Sequence, residues 1–256
     1  MYVAMRASVV GAYRSSYTAH SRIVPAVIDA FHDPGTAVGA ARADAARTDP
    51  VEALTTVSGG RMLIGVASWT DPSMTAAGVF YPDRVSSPEA RLRFYSSRFP
   101  LVEVDSTYYA IPARRMAELW VDRTPDGFVF DVKAHALMTG QPSEVSRLPK
   151  DLREALPRNI AQQERVYADD LPDDVRDAVW RSFLTALEPL RDSNKLGAIL
   201  MQYPRWVGPS RANAAMLEDA KRRLAGWPVA VEFRNRLWFE DRLRERTLGL
   251  LRRNEL

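Results

Sequence analysis

Two carboxylates, Glu103 and Asp105, stand two residues apart in the run Val102-Glu103-Val104-Asp105-Ser106-Thr107, so a strand with its period of two presents both on one face. In a second run Asp131, Lys133 and His135 share one parity, against Phe128, Phe130 and Val132 on the other; in a third, Glu232 and Arg234 alternate with Val231 and Phe233. Two further runs lead into polar and aromatic groups: Ser68, Trp69, Thr70 and Asp71, and Gln202, Tyr203 and Pro204. Neighbouring carboxyls can serve as acid and base, lysine or arginine can hold an anion, and an aromatic face can stack on a ring. The catalytic candidates are therefore Glu103, Asp105, Lys133 and Glu232. Ser68, Trp69, Tyr108, His135, Gln202, Arg234 and Asn235 are the substrate-binding candidates.

Each of these has a plainer reading. Glu103, Asp105, Lys133, Glu232 and Arg234 could form an ion-pair network inside the fold with no other role. Trp69, Tyr108 and Tyr109 are of a type that more often packs than binds, and a structural role suits His135, the sole histidine after position 60. Glu103, Asp105, Asp131 and Glu232 could hold a hard cation such as Mg²⁺, but a single histidine fits few metal-dependent sites, and no metal is expected.

The elements that must position these groups begin at Met62. Short β-rich runs at 63–68, 102–106, 128–133, 197–202 and 229–233 alternate with helical patterns, the mark of βαβ units and a parallel sheet. Ser87 can cap a helix that Pro88 opens, Pro112 opens another, and Asp173 or Asp174 starts a longer one through Val175, Val179, Phe183 and Leu187. Helices are also expected at 212–224 and 238–251. The connection between the third and fourth strands runs over about 60 residues, far beyond an ordinary βα loop, and is expected to form a lid or rim. In a parallel barrel the catalytic groups sit at the C-terminal ends of the strands, where the polar residues of this chain fall. An unpaired charge on the helix-covered side would cost several kcal/mol, so the charged rows belong toward the mouth.

Composition narrows the function classes. The 256 residues are 46% hydrophobic and 26% charged, as in an ordinary globular protein. Thirty-five Lys and Arg against 32 Asp and Glu give a formal charge of +3, too mild to demand a nucleic-acid partner. With no cysteine, disulfides, thiolate metal sites and cysteine nucleophiles are excluded. No apolar run is long enough to span a bilayer, and a cytoplasmic protein is expected. Walker and Rossmann glycine loops are absent, and no cofactor is expected. Residues 1–60, rich in Ala, Arg, Gly and Thr and ending in Ser58-Gly59-Gly60, read as a poorly ordered extension and linker with a short helix at 38–47. An arginine-rich start resembling a transit peptide, or a true start at Met62, are alternatives.

The segments Ile64-Gly65-Val66-Ala67-Ser68-Trp69, Phe80-Tyr81-Pro82, Arg93-Phe94-Tyr95, 102–109 with Pro112, and Thr124-Pro125-Asp126-Gly127-Phe128 resemble the YecE-like family, domain of unknown function 72. Lys195-Leu196-Gly197, Gln202-Tyr203-Pro204 and Glu232-Phe233-Arg234-Asn235 with Trp238 continue the likeness, which covers nearly all of 62–256. The resemblance implies an α/β fold, a (β/α)₈ TIM barrel, here apparently truncated after about the fifth strand-helix unit. It also implies further strands in family members, with Asp-Glu-Pro-like and Arg-x-His-Gly-Arg-like segments that this sequence lacks. Five strands cannot close a barrel, so the first and fifth are expected to present open edges.

The leading expectation is a hydrolase or isomerase acting on a small-molecule or phosphate-containing substrate, with Glu103 or Asp105 as acid or base. A nucleic-acid-binding barrel, with Arg234 and Lys133 tracking phosphate, and an inactive truncated fragment are the alternatives. No membrane partner is expected.

Overall fold

The computed structural model describes residues 3–8, 54–55 and 61–256. Five parallel strands form its centre: β3 (Arg61–Ala67), β4 (Leu101–Val104), β5 (Val129–Lys133), β8 (Leu196–Tyr203) and β9 (Val229–Phe233), hydrogen-bonded in that order. They curl into a half-barrel with helices on the outer side. The first two strands of the chain, β1 (Val3–Ser8) and β2 (Leu54–Thr55), pair antiparallel with β3, from Val3 opposite Val66 to Ser8 opposite Arg61 in the case of β1. The open edge expected on the first parallel strand is therefore paired. The helix expected at 38–47, and the remainder of the stretch read as an extension, lie outside the described residues.

Strand alternation places the core. In β5 the side chains of Phe130 and Val132 are buried toward the helices, while Asp131 and Lys133 face the inner side. Leu92 and Tyr95 of α2 (Pro88–Ser96) fill the outer layer over β3 and β4. The Tyr95 hydroxyl, fully buried, donates to the Leu101 carbonyl at 2.9 Å and accepts from the Val66 amide at 2.9 Å, tying the two strands together. Close approach there requires Gly65, since a Cβ would lie 2.1 Å from the Leu101 carbonyl oxygen. The α2 helix starts as its residues dictate: the Ser87 hydroxyl accepts from the Ala90 amide at 3.1 Å and Pro88 occupies the first turn.

Two short helices precede and follow it, α1 (Pro72–Thr75) and α3 (Ser106–Tyr109), and α4 (Arg114–Asp122) covers β4 and β5 with Ala117 and Trp120. The long connection between β5 and β8 is a small folded unit. It holds α5 (Lys150–Glu154), α6 (Arg158–Ala161) and a two-stranded antiparallel ribbon, β6 (Ser143–Glu144) with β7 (Arg165–Val166). Leu137, Val145, Leu148, Leu152 and Val166 form a second apolar cluster against Val175 and Val179 of α7 (Asp173–Asp192). Beyond β8 come α8 (Arg211–Arg223), capped by Ser210, then a 3₁₀ turn (Arg236–Phe239) and α9 (Asp241–Arg253). The single helix expected at 238–251 is thus split, because Glu240 is extended and ends the turn before α9 begins.

Candidate active site

Four of the five parallel strands bring a charged or amide residue to one rim: Glu103 from β4, Lys133 from β5, Gln202 from β8 and Glu232 from β9. Glu103 is the inward residue of β4, between buried Val102 and Val104, and stands opposite Asp131 in the parallel register. Asp105 follows the strand directly before α3, and its carboxylate, which makes no capping bond to that helix, turns to the same place: Lys133 Nζ donates to Asp105 Oδ1 at 2.8 Å and lies 3.9 Å from Glu103 Oε1. Thr107 locks this corner from behind, its hydroxyl donating to the Lys133 carbonyl at 2.6 Å.

Glu103 is enclosed, its side chain 16% exposed. Burial raises its pKa most, and the charge and hydrogen bond of Asp105 raise it further; Lys133 opposes and Glu232 adds to the rise, which reaches about 7. The outer part of the rim is more open. Glu232 accepts from Arg234 Nε at 3.0 Å through one oxygen and from Gln202 Nε2 at 2.7 Å through the other. Gln202 and Glu232 are register partners on β8 and β9, so the contact follows from sheet pairing. Tyr108 roofs the cluster with Lys133 Nζ 5.8 Å from its ring centre, and its hydroxyl donates to Gln141 Oε1 at 3.0 Å. Burial, chiefly, raises the Tyr108 pKa.

The remaining candidates lie around this centre or apart from it. Ser68 ends β3 in the left-handed region at φ 69°, its amide donating to the Glu103 carbonyl at 2.9 Å and its hydroxyl 3.1 Å from that of Thr70. A non-glycine residue held there stores backbone strain, a condition found most often at functional positions. Trp69 packs edge-on to Trp120 and Phe130, with ring centres 5.9 and 6.5 Å apart. Asn235 turns away to shape its loop, accepting from the Leu237 amide and donating to the Arg205 carbonyl. His135 forms no hydrogen bond or ion pair with the carboxylates. It is fully buried, Nε2 lies 3.4 Å from Ser143 Oγ inside the inserted unit, and burial lowers its pKa to about 4, leaving it neutral. Strand β5 ends at Lys133, and the chain then enters a 3₁₀ turn (Ala136–Thr139), so the strand parity does not extend to His135. Among the described residues no group of three or more His, Asp and Glu is placed to hold a metal ion.

The model of the family "Protein of unknown function DUF72" matches residues 63–256. The chain belongs to the DUF72 family. It is 33% identical over 189 residues to the UPF0759 protein YunF of Bacillus subtilis (strain 168), covering 74% of this chain and 56% of YunF. Two solved DUF72 family proteins share the fold. That of Enterococcus faecalis V583 superposes with a TM-score of 0.55 at 23% identity over 75% of this chain and 57% of its own. That of Thermotoga maritima MSB8 gives 0.51 at 24% over 75% and 61%. The chain thus spans little more than half the length of these relatives.

Within this DUF72 chain, one residue of the rim escaped the reading of the sequence. Gln141 comes from the inserted unit, and besides Tyr108 it reaches the Gln202 carbonyl at 3.2 Å and Thr139 Oγ1 at 3.0 Å. Its one local signal is the preceding Gly140, whose φ of 73° turns the chain back toward the strand ends. Among the described residues no helix is long and apolar enough to cross a membrane.

Proposed function

We propose that the strand-end cluster is an active site for proton transfer, and that the protein is a hydrolase or isomerase of small molecules. The observation that carries this reading is the pair Glu103 and Asp105. They are neighbouring carboxyl groups in unlike surroundings, one enclosed with its pKa raised to about 7, the other paired directly with Lys133. Separation of two carboxyls by environment is how one site supplies both an acid and a base near neutral pH. The (β/α)₈ barrel belongs to the same proposal: the five units form part of a barrel mouth, supported by parallel strands, helices on their outer side and solved relatives of greater length.

In hydrolysis, Asp105 takes a proton from water as its oxygen bonds to the substrate, and Glu103 gives its proton to the departing group. In isomerisation, Asp105 takes the proton from carbon beside a carbonyl while Glu103 protonates the carbonyl oxygen. After hydrolysis the proton passes from Asp105 back to the neighbouring Glu103; in isomerisation Asp105 instead returns its proton to the adjacent carbon while Glu103 takes back the hydroxyl proton, which completes the new carbonyl. Lys133 holds Asp105 in position, while Gln202 and Arg234 fix Glu232 across the rim. Carboxylates outnumber cations here, which favours a neutral or cationic reacting group over a polyanion.

The test is a screen of chromogenic esters and glycosides and of aldose–ketose pairs. Activity should fall as pH rises through about 7 as Glu103 ionises, and Glu103→Gln should lower kcat by roughly 10²- to 10⁴-fold. A rate unchanged in both Glu103→Gln and Asp105→Asn removes the acid–base assignment. Salt-dependent binding of a short DNA or RNA duplex, without turnover, would favour the nucleic-acid alternative instead.

A further inference from the structure

Immediately beside Asp105 the surface opens into a cavity of about 310 Å³. Its walls are apolar: Trp69 and Trp120 stand edge to face, and Ile111 and Met116 complete the enclosure. Ala110, Pro112 and Ala113 are small where the chain enters α4, and they leave the volume unfilled. Polar groups gather on the side of the rim, from Ser68, Thr70 and Asp105. Among the described residues lining it, Asp105 is the sole one with an ionisable side chain.

We propose that this cavity is the subsite for an aryl group of the substrate, bearing a neutral or cationic polar substituent that reaches Asp105. The volume lies at the lower end of small-molecule pockets, enough for a ring with one or two substituents. The wall is built for a ring. Trp120 is buried and stacks on Phe130 at 6.0 Å, and the Trp69 ring lies edge-on to both, so the two indoles are packed before a ligand arrives. Met116, also on the lining and 44% exposed, offers a polarisable thioether to a ring edge. A single carboxylate on the lining makes an anionic substituent unfavourable. The left-handed backbone of Ser68 turns the chain directly before Trp69, where β3 has ended.

This inference rests on the proton-transfer reading, and the experiment separates the two. Benzamidine, benzyl alcohol, benzoate and ring-free guanidinium are titrated into the full chain while the indole N–H resonances of Trp69 and Trp120 are followed by NMR. Benzamidine and benzyl alcohol should shift both signals saturably, with benzoate and guanidinium at least about tenfold weaker. Ala113→Phe, at an exposed position, should fill the cavity and weaken benzamidine by roughly tenfold or more, with Met116→Phe as the second variant should the first not fold. No saturable shift, equal binding of benzoate, or undiminished binding in the cavity-filling variants overturns the aryl subsite. Ring binding with a rate unaffected by Glu103→Gln removes the acid–base reading alone, and a Glu103-dependent rate without ring binding removes the subsite alone.

Discussion

Two enclosed lysines stand at opposite ends of the same parallel sheet. Lys195, just before β8 and 4% exposed, donates to the carbonyls of Val121 and Thr124 at 2.9 and 2.7 Å and lies 3.2 Å from Thr124 Oγ1. These carbonyls lie at the C-terminal end of α4, where a cation is favoured by the helix dipole. Burial lowers the pKa of Lys195, against the pull of Asp126 and Asp122. Lys133, at the far end of β5, instead faces the carboxylates of Asp105 and Glu103. The first lysine satisfies the Thr124 carbonyl and shares that of Val121 with the Thr124 amide and hydroxyl, so its charge is spent on closing a helix end. The second is outnumbered by carboxylates, and Glu103 stays protonated to an unusually high pH. One end of the sheet spends its buried charge on holding the fold, the other on holding a proton.

The largest effect should come from breaking the first arrangement. Lys195→Met removes the ammonium from the Val121 and Thr124 carbonyls and should cost roughly 3 kcal/mol. Urea unfolding checks this, and a loss under about 1 kcal/mol would mean that solvent replaces the ammonium at little cost.

Glu103→Gln should act in the opposite sense on stability. Because the folded pKa is raised from 4.5 to about 7, the glutamate's contribution is fully present below pH 4.5 and is lost as pH rises through 7. The glutamine variant lacks this dependence, so relative to the parent it should gain on the order of 2–3 kcal/mol by about pH 8. Parallel unfolding curves for the two proteins across that window would contradict the buried-acid account.

A smaller change is expected at Ser68. Ser68→Gly relieves the left-handed backbone at φ 69°, but loses the hydroxyl contact with Thr70 and gains freedom in the unfolded chain. It should therefore alter stability by less than about 1 kcal/mol. Its larger signature should be mobility of Trp69, seen as broadening of that indole resonance.

The parts of this molecule legible in the sequence are those ruled by a local period. The strand β9 spans Val229–Phe233 as its apolar run indicates, and alternation in β5 sets Phe130 and Val132 against Asp131 and Lys133. The pairing of Gln202 with Glu232 required register between strands that are 30 residues apart, which no local pattern carries. His135 shows where periodicity misleads, since counting by twos continues past Lys133 although the strand does not. The inserted unit was legible as an insertion and opaque inside. Its helices are only four or five residues long, so Leu137, Leu148, Leu152 and Val166 meet through tertiary packing with no period to announce it. Gln141 was missed for the same reason.

The contrast between the two ends of the sheet turns on the proton of Glu103. Carboxyl ¹³C chemical shifts of Glu103, followed by NMR across the pH range and assigned with Glu103→Gln, measure it directly. The account predicts a midpoint near 7, moving further up in Lys133→Met as the opposing positive charge is removed. A midpoint at the ordinary glutamate value of 4.5, unmoved by Lys133→Met, would contradict it.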